Sequence, residues 1–125
     1  MTATLDLSAA DASRTVSELV AELGPRATGE LLSLFMAHVS EALEQIRLAD
    51  DHMELAELGR IAHVMKGTAG CYGADELSEV SCRLNLACQS HDIGAAKMLL
   101  GPFITQCQRT VRLYEEITKV CQTLH

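Results

Sequence analysis

The chain has 125 residues and a formal net charge of -7 at neutral pH. A chain of this length has room for one core, so we expect a single domain over residues 1–125, with residues 1–10 as a flexible N-terminal segment. Hydrophobic residues make up 48% and charged residues 22%, which excludes a disordered chain, and the acidic charge argues against a nucleic-acid partner, because phosphate binding needs clustered lysines and arginines.

The first two helices are predicted from apolar residues that recur at helical spacing. One row from Val16 to Leu23 indicates a short helix that ends at Gly24. Pro25 is well placed to open the next helix, because the first helical position needs no amide hydrogen. The second row, from Leu31 to Ile46, indicates a longer helix.

The third helix is predicted after Asp51, whose carboxylate can cap its N-terminus while Glu54 lies three residues further on. Its apolar row runs from Leu55 to Tyr72. Gly73 follows directly and is expected to end the helix, because glycine readily adopts the left-handed conformation of a helix C-terminus.

The last two helices are predicted to start at aspartates. Asp75 can cap the fourth helix, whose apolar row runs from Leu77 to Ala87, and Asp92 starts the fifth segment. We expect a bend or a break at Pro102, since proline lacks an amide hydrogen and clashes with the preceding turn. Four long helices with short connections predict an all-α, antiparallel four-helix bundle, with the short first helix as an N-terminal accessory.

His63 does not fit the apolar face of the third helix. At 100° per residue it lies about 140° from the centre of that face and should contact water. The residues that share its sector are almost all small, namely Ala56, Gly59, Lys66, Gly67 and Gly70. Each glycine inside a helix is about 0.8–1.0 kcal/mol less favourable than alanine, so the three glycines indicate space kept for another molecule. An ordinary surface histidine would explain neither the glycines nor Lys66.

This arrangement suits phosphoryl transfer. An exposed neutral imidazole can attack an activated phosphoryl group and hold it on nitrogen. Lys66, one turn along the helix, can offset the charge of the phosphoryl oxygens. An exposed charge pair contributes only about 0.2–1 kcal/mol, so we expect a metal ion and further donors from the partner.

The run from His63 to Ala69, followed by Tyr72–Ala74 and Leu77, closely resembles the histidine-containing phosphotransfer (HPt) domain of multistep phosphorelays. The family pattern is H-x-x-K-G, two small residues, then an aromatic or apolar residue and Gly-Ala. The resemblance covers about half of the chain and implies a four-helix bundle. It also implies that the histidine accepts a phosphoryl group from a receiver-domain aspartate and passes it to another receiver domain.

Carried over by position, the resemblance makes His63 the phosphoacceptor through Nε2, Lys66 the cation beside the phosphate, and Gly67 the residue that admits the receiver. We add Gly59 and Gly70 as partner-binding candidates, although Gly70 could equally serve to end the helix. No cofactor or metal site is expected in this chain, and Mg²⁺ is expected on the receiver. Asn85 stands where the family often has glutamate, and the accessory polar residue that some members carry on the neighbouring helix cannot be located by motif.

The expected partners are receiver domains, with a hybrid histidine kinase as a further candidate. The N-terminus has no signal-peptide pattern and no apolar stretch reaches the roughly 18 residues of a membrane span, so we expect a cytoplasmic monomer that does not bind membranes. We expect a phosphoryl carrier and not an autonomous enzyme. Two alternatives remain: an adaptor that binds or sequesters a signalling protein without taking phosphate, and a thiol sensor that uses Cys71, Cys82 or Cys88.

Overall fold

Five helices make up most of the computed structural model, which describes residues 7–49 and 54–123. In chain order they are α1 (Leu7–Leu23), α2 (Pro25–Ala49), α3 (Leu55–Cys71), α4 (Asp75–Gln89) and α5 (Ile93–Thr123). No strand occurs in the part of the chain described. The most extensive packing is between α3 and α4, between α2 and α5, and between α4 and α5. The predicted all-α helical bundle is confirmed.

The N-terminal helix is longer than its apolar row indicated. It begins at Leu7, so residues 7–10, which we expected to be flexible, are helical, while residues 1–6 lie outside the described part. Helix α1 packs mainly on α2 and buries Ala12 and Val16. It therefore adds to the core of the bundle as well as covering it.

One cluster of apolar side chains fills the bundle, and three aromatic rings meet there. Phe35 stacks on Tyr72 with 4.6 Å between ring centroids, and it meets Tyr114 edge-on at 5.1 Å. The buried Tyr114 hydroxyl donates a hydrogen bond of 2.5 Å to the backbone carbonyl of Tyr72. Because Tyr72 directly follows α3, these contacts attach the C-terminal end of that helix to α2 and α5.

Two predicted helix ends are confirmed at glycines with left-handed backbones. Gly24 has φ of 86° and Gly73 has φ of 77°. After α3, the Ala74 amide donates to the carbonyl of Ala69 at 2.9 Å, which satisfies a carbonyl of the last helical turn. The Asp92 carboxylate accepts from the Ala95 amide at 3.0 Å and caps α5, the segment that Asp92 was predicted to start.

The predicted caps of α3 and α4 differ from the structure. Asp75 is the first residue of α4, and the N-cap is Ala74, whose carbonyl already accepts the hydrogen bond from the Ser78 amide. The carboxylate of Asp75 is still favourable there, because it lies near the positive end of the helix dipole. Asp51 lies outside the described residues, and α3 has Glu54 at its N-cap without a side-chain capping bond.

Helix α5 continues through Pro102, so of the predicted bend or break the break is wrong, and the bend stays a prediction. Gly101 precedes the proline, and without a Cβ it avoids the clash that disfavours helical backbone before proline. The missing amide hydrogen would have bonded to the carbonyl of Met98. That stretch is on the surface, with Met98 80% exposed, and water can take the place of the lost donor.

The outer faces of the helices carry charged pairs. Arg47 binds Glu44 on α2, and Arg83 binds Glu79 on α4. Such exposed pairs contribute only about 0.2–1 kcal/mol each, so the buried core accounts for most of the stability. Within residues 7–49 and 54–123, no helix combines the length and the apolar character of a membrane span.

The five cysteines are free thiols. Cys107 and Cys121 are buried in the core, and burial raises the pKa of Cys107 to about 12. Cys88, a candidate of the thiol-sensor hypothesis, is also buried, and desolvation raises its pKa, which disfavours the reactive thiolate. Cys71 is exposed and Cys82 is partly exposed, so the hypothesis is open only for these two.

Candidate functional site

His63 lies in the middle of α3 with its side chain exposed, whereas its neighbours Ala62 and Met65 are fully buried. The predicted exposure of this histidine is therefore confirmed. Its imidazole forms no hydrogen bond with any side chain or backbone group of the described residues. Both ring nitrogens are thus available to another molecule.

A groove of about 460 Å³ lies beside His63, between α3 and the C-terminal half of α4. Side chains of an α-helix point back toward its N-terminus, so the imidazole is directed over the preceding turn, where Ala56 and Gly59 leave room. The polar residues that line the groove are Arg60, His63, Asn85, Gln89 and His91. None of the groove's lining residues is acidic, although the protein as a whole is.

Gly59 is not part of an exposed strip, which corrects its assignment as an open partner-binding position. It is buried, and a Cβ at this position would lie 3.0 Å from the Cβ of Cys88 on α4. The missing side chain therefore allows α3 and α4 to approach closely. The wheel analysis missed this because it identified the face toward the core but not the narrower face toward the neighbouring helix.

We expect Gly59→Val to lower the free energy of unfolding by about 1–3 kcal/mol, because the added methyl groups overpack the contact with Cys88. Urea unfolding followed by circular dichroism measures the change. Gly67→Val, at an exposed glycine of the same helix where a Cβ meets nothing within 4 Å, shows the effect of the glycine-to-valine change without the overpacking. Equal stability of the two variants would contradict the packing role of Gly59.

Gly67 and Gly70 are exposed, as predicted. A Cβ at Gly67 would meet nothing within 4 Å, and one at Gly70 would make an ordinary contact of 3.6 Å with the Ser78 hydroxyl. The fold therefore does not require glycine at position 67. A longer side chain there would point back over the turn that carries His63, so its absence leaves the imidazole open from the C-terminal side.

Lys66 lies one turn after His63 and is half-buried. Its side chain is directed back toward His63 by the helix geometry, and its ammonium group forms no ion pair within the described chain. The Ser78 hydroxyl of α4 donates a hydrogen bond of 2.8 Å to the Lys66 carbonyl. This bond attaches the turn between the histidine and the glycines to the neighbouring helix.

Arg60 contributes a second cation, which the sequence analysis did not single out. Its guanidinium binds the Glu57 carboxylate through Nε at 3.1 Å and through a second hydrogen bond from the same fork. Both side chains are about half exposed, at 56% for Arg60 and 49% for Glu57. The hydrogen bond to Arg60 lowers the pKa of the Glu57 carboxyl, and the same bond raises the pKa of Arg60.

Asn85 is a polar residue of the neighbouring helix that the structure places beside His63. It is only 6% exposed, it lines the groove beside His63, and its side-chain amide has no hydrogen-bond partner among the described residues. Its amide faces the open groove, where it can donate a hydrogen bond to a ligand. The sequence could have indicated this position, because Asn85 lies beside Leu84 and one turn before Cys88, on the buried face of α4.

The described residues contain no group of three or more histidine, cysteine, aspartate or glutamate side chains that could hold a metal ion. The guanidinium of Arg60 and the amides of Asn85 and Gln89 line the groove and can donate hydrogen bonds to an anion. The groove thus favours an anionic group. The expectation that Mg²⁺ is held by the partner stays a prediction.

The chain matches the model of a known family. The model of the family described as Hpt domain matches residues 30–124, a range that includes α3, α4 and most of α2 and α5. No match was found among curated proteins or among solved structures. The matched range includes His63, Lys66 and Asn85.

Proposed function

The chain belongs to the Hpt domain family, and from this premise we propose that His63 accepts a phosphoryl group from a receiver-domain aspartate and passes it to another receiver domain. Hpt domains act in histidine phosphotransfer within phosphorelays. The observation that best supports His63 as the acceptor is its exposed imidazole, which forms no hydrogen bond and lies beside a groove. The lining of that groove includes hydrogen-bond donors and no acidic residue.

The proposed step is an exchange of a phosphorus–oxygen bond for a phosphorus–nitrogen bond. The Nε2 lone pair attacks phosphorus of the aspartyl phosphate, the bond to the aspartate oxygen breaks, and the aspartate leaves as a carboxylate. The imidazolium formed is neutralised when Nδ1 releases its proton to water. Attack by the aspartate of a second receiver reverses the step and restores the free imidazole.

We infer that two side chains of this protein bind the phosphoryl oxygens. Lys66 supplies an unpaired ammonium from the C-terminal side, and Asn85 supplies an amide from the wall of the groove. Exposed charge pairs contribute only about 0.2–1 kcal/mol, so Lys66 adjusts the reaction and does not account for most of its rate. We propose that the receiver supplies the remaining stabilisation through its own Mg²⁺ and that this chain is a carrier.

Asn85→Asp should lower the fraction of phosphorylated protein at equilibrium about tenfold, because a donor to the phosphoryl oxygens is replaced by an anion of nearly the same shape. Asn85→Ser, which keeps a donor, should lose less. Densitometry of radiolabelled protein after exchange with one receiver measures both variants. Equal phosphorylation of wild type and Asn85→Asp would show that the phosphoryl group lies away from the groove.

The test of the function is incubation of the protein with a panel of phosphorylated receiver domains. We expect at least one receiver to transfer phosphate that is stable in alkali and labile in acid, and mass spectrometry under neutral conditions to locate it on His63. Transfer to another residue would refute His63 as the acceptor. Receiver binding without transfer across the panel would instead support the adaptor hypothesis.

A further inference from the structure

Arg60 is placed between two groups that it could bind. Glu57 and His63 lie three residues before and after it on α3, a spacing at which helical side chains are neighbours. In the structure the guanidinium is bound to Glu57, yet Arg60 also lines the groove that contains His63. The same arginine can therefore reach either side without a change in the helix.

A phosphoryl group on His63 would lie close to this arginine. The imidazole is directed toward the N-terminal end of α3, so a group on Nε2 would project over the turn of Ala56, Gly59 and Arg60. The first two residues have almost no side chain, and the third carries the guanidinium. A phosphoryl group brings a charge of about -1.5 to -2 and three acceptor oxygens, compared with the single charge of the Glu57 carboxylate.

We propose that Arg60 exchanges its ion pair with Glu57 for one with the phosphoryl group on His63, and that Glu57 thereby limits the stability of the phosphorylated state. The inference rests on the proposed function and adds a regulating pair to the same site. Arg60 acts as a phosphoryl-binding residue, and Glu57 acts as its competitor in the unphosphorylated protein.

Three properties of the pair favour the exchange. Both side chains are about half exposed, and exposed pairs of this kind are weak and easily separated. The planar fork of arginine binds phosphate oxygens in pairs, as it binds a carboxylate. In addition, the phosphoryl group carries more charge than Glu57, so the guanidinium gains electrostatic energy when it changes partner.

The chain contains a matched pair that should not respond. Arg47 binds Glu44 on α2 at the same three-residue spacing and through the same two guanidinium nitrogens, but neither residue lines the groove. Variants of this second pair report the general effect of removing a surface charge.

The first experiment needs no receiver. Phosphoramidate transfers its phosphoryl group to imidazole Nε2 with loss of ammonia, and the product is followed by NMR in wild type and in His63→Gln. We expect the Nε–H resonance of Arg60 to move on phosphorylation of His63, and that of Arg47 to stay in place. Unchanged Arg60 resonances in protein phosphorylated at His63 would overturn the exchange.

The second experiment measures the equilibrium constant for phosphoryl exchange with one receiver. Arg60→Gln should shift it about twofold to fivefold toward the phosphorylated receiver, the size expected for one exposed ion pair, and Glu57→Gln should shift it in the opposite direction. In the Arg60→Gln background the effect of Glu57→Gln should shrink. Arg47→Gln and Glu44→Gln should leave the constant unchanged.

The equilibrium constant separates this role from docking, because contacts made only in the complex change rates and not the balance between free species. Unchanged equilibrium in Arg60→Gln would refute the inference while leaving the proposed function in place. If neither phosphoramidate nor any receiver labels His63, the proposed function and the inference fail together.

Discussion

His63→Gln should give a folded protein that takes up no acid-labile phosphate from any phosphorylated receiver. The side chain is exposed and forms no hydrogen bond with the described residues, so its replacement removes no packing or polar contact. The circular dichroism spectrum and the urea midpoint should match those of wild type, because surface substitutions away from such contacts change stability by no more than about 0.5 kcal/mol. Glutamine has no nucleophilic nitrogen, so the loss of labelling should be complete.

His91→Asn is the informative comparison for that result. His91 lines the same groove, and its φ of 56° is a left-handed conformation that asparagine adopts readily. The variant should therefore fold normally and keep its phosphate. If His91→Asn instead lost the label and His63→Gln kept it, the acceptor would be the other imidazole of the groove.

The helices were predictable because the residues that face the core recur at helical spacing in the sequence. Gly24, Gly73 and Asp92 end or start helices where the pattern placed them, since each has a local conformation or capping bond that the fold requires. The continuity of α5 was missed because Pro102 was considered without Gly101, whose missing Cβ relieves the contact between the proline ring and the preceding residue. Local rules fail where two neighbouring residues compensate each other.

The exposure of His63 could be predicted for the same reason, since an exposed histidine on an amphipathic helix departs from the apolar period. The groove could not be predicted, because its second wall comes from α4 and depends on how closely α3 and α4 approach each other. Gly59 and Asn85 illustrate this. Gly59 is covered by Cys88, and Asn85 lies beside His63, only once α3 and α4 have packed. Contacts between helices are set by tertiary packing, which a wheel of one helix does not contain.

Gly67→Leu should separate function from stability. The position is exposed and a Cβ there meets nothing within 4 Å, so the fold accepts a larger residue. Leucine is the better helix former, and the free energy of unfolding should rise by about 0.5–1 kcal/mol. The leucine side chain would point back over His63, and the rate of phosphoryl transfer should fall about 100-fold or more, because a displacement of the reacting groups by about 1 Å is enough for such a loss.

Rapid-quench measurement of transfer from one receiver, together with urea unfolding, tests both halves of this prediction. Gly67→Ala should gain similar stability but lose less of the rate, since its methyl group does not reach the imidazole. Thr105→Leu adds an exposed leucine on α5, which contributes no residue to the groove, and should transfer phosphate as wild type does. A Gly67→Leu variant with an undiminished rate would mean that the receiver approaches His63 from the side of the α3–α4 groove, and that the open glycine face is not where it docks.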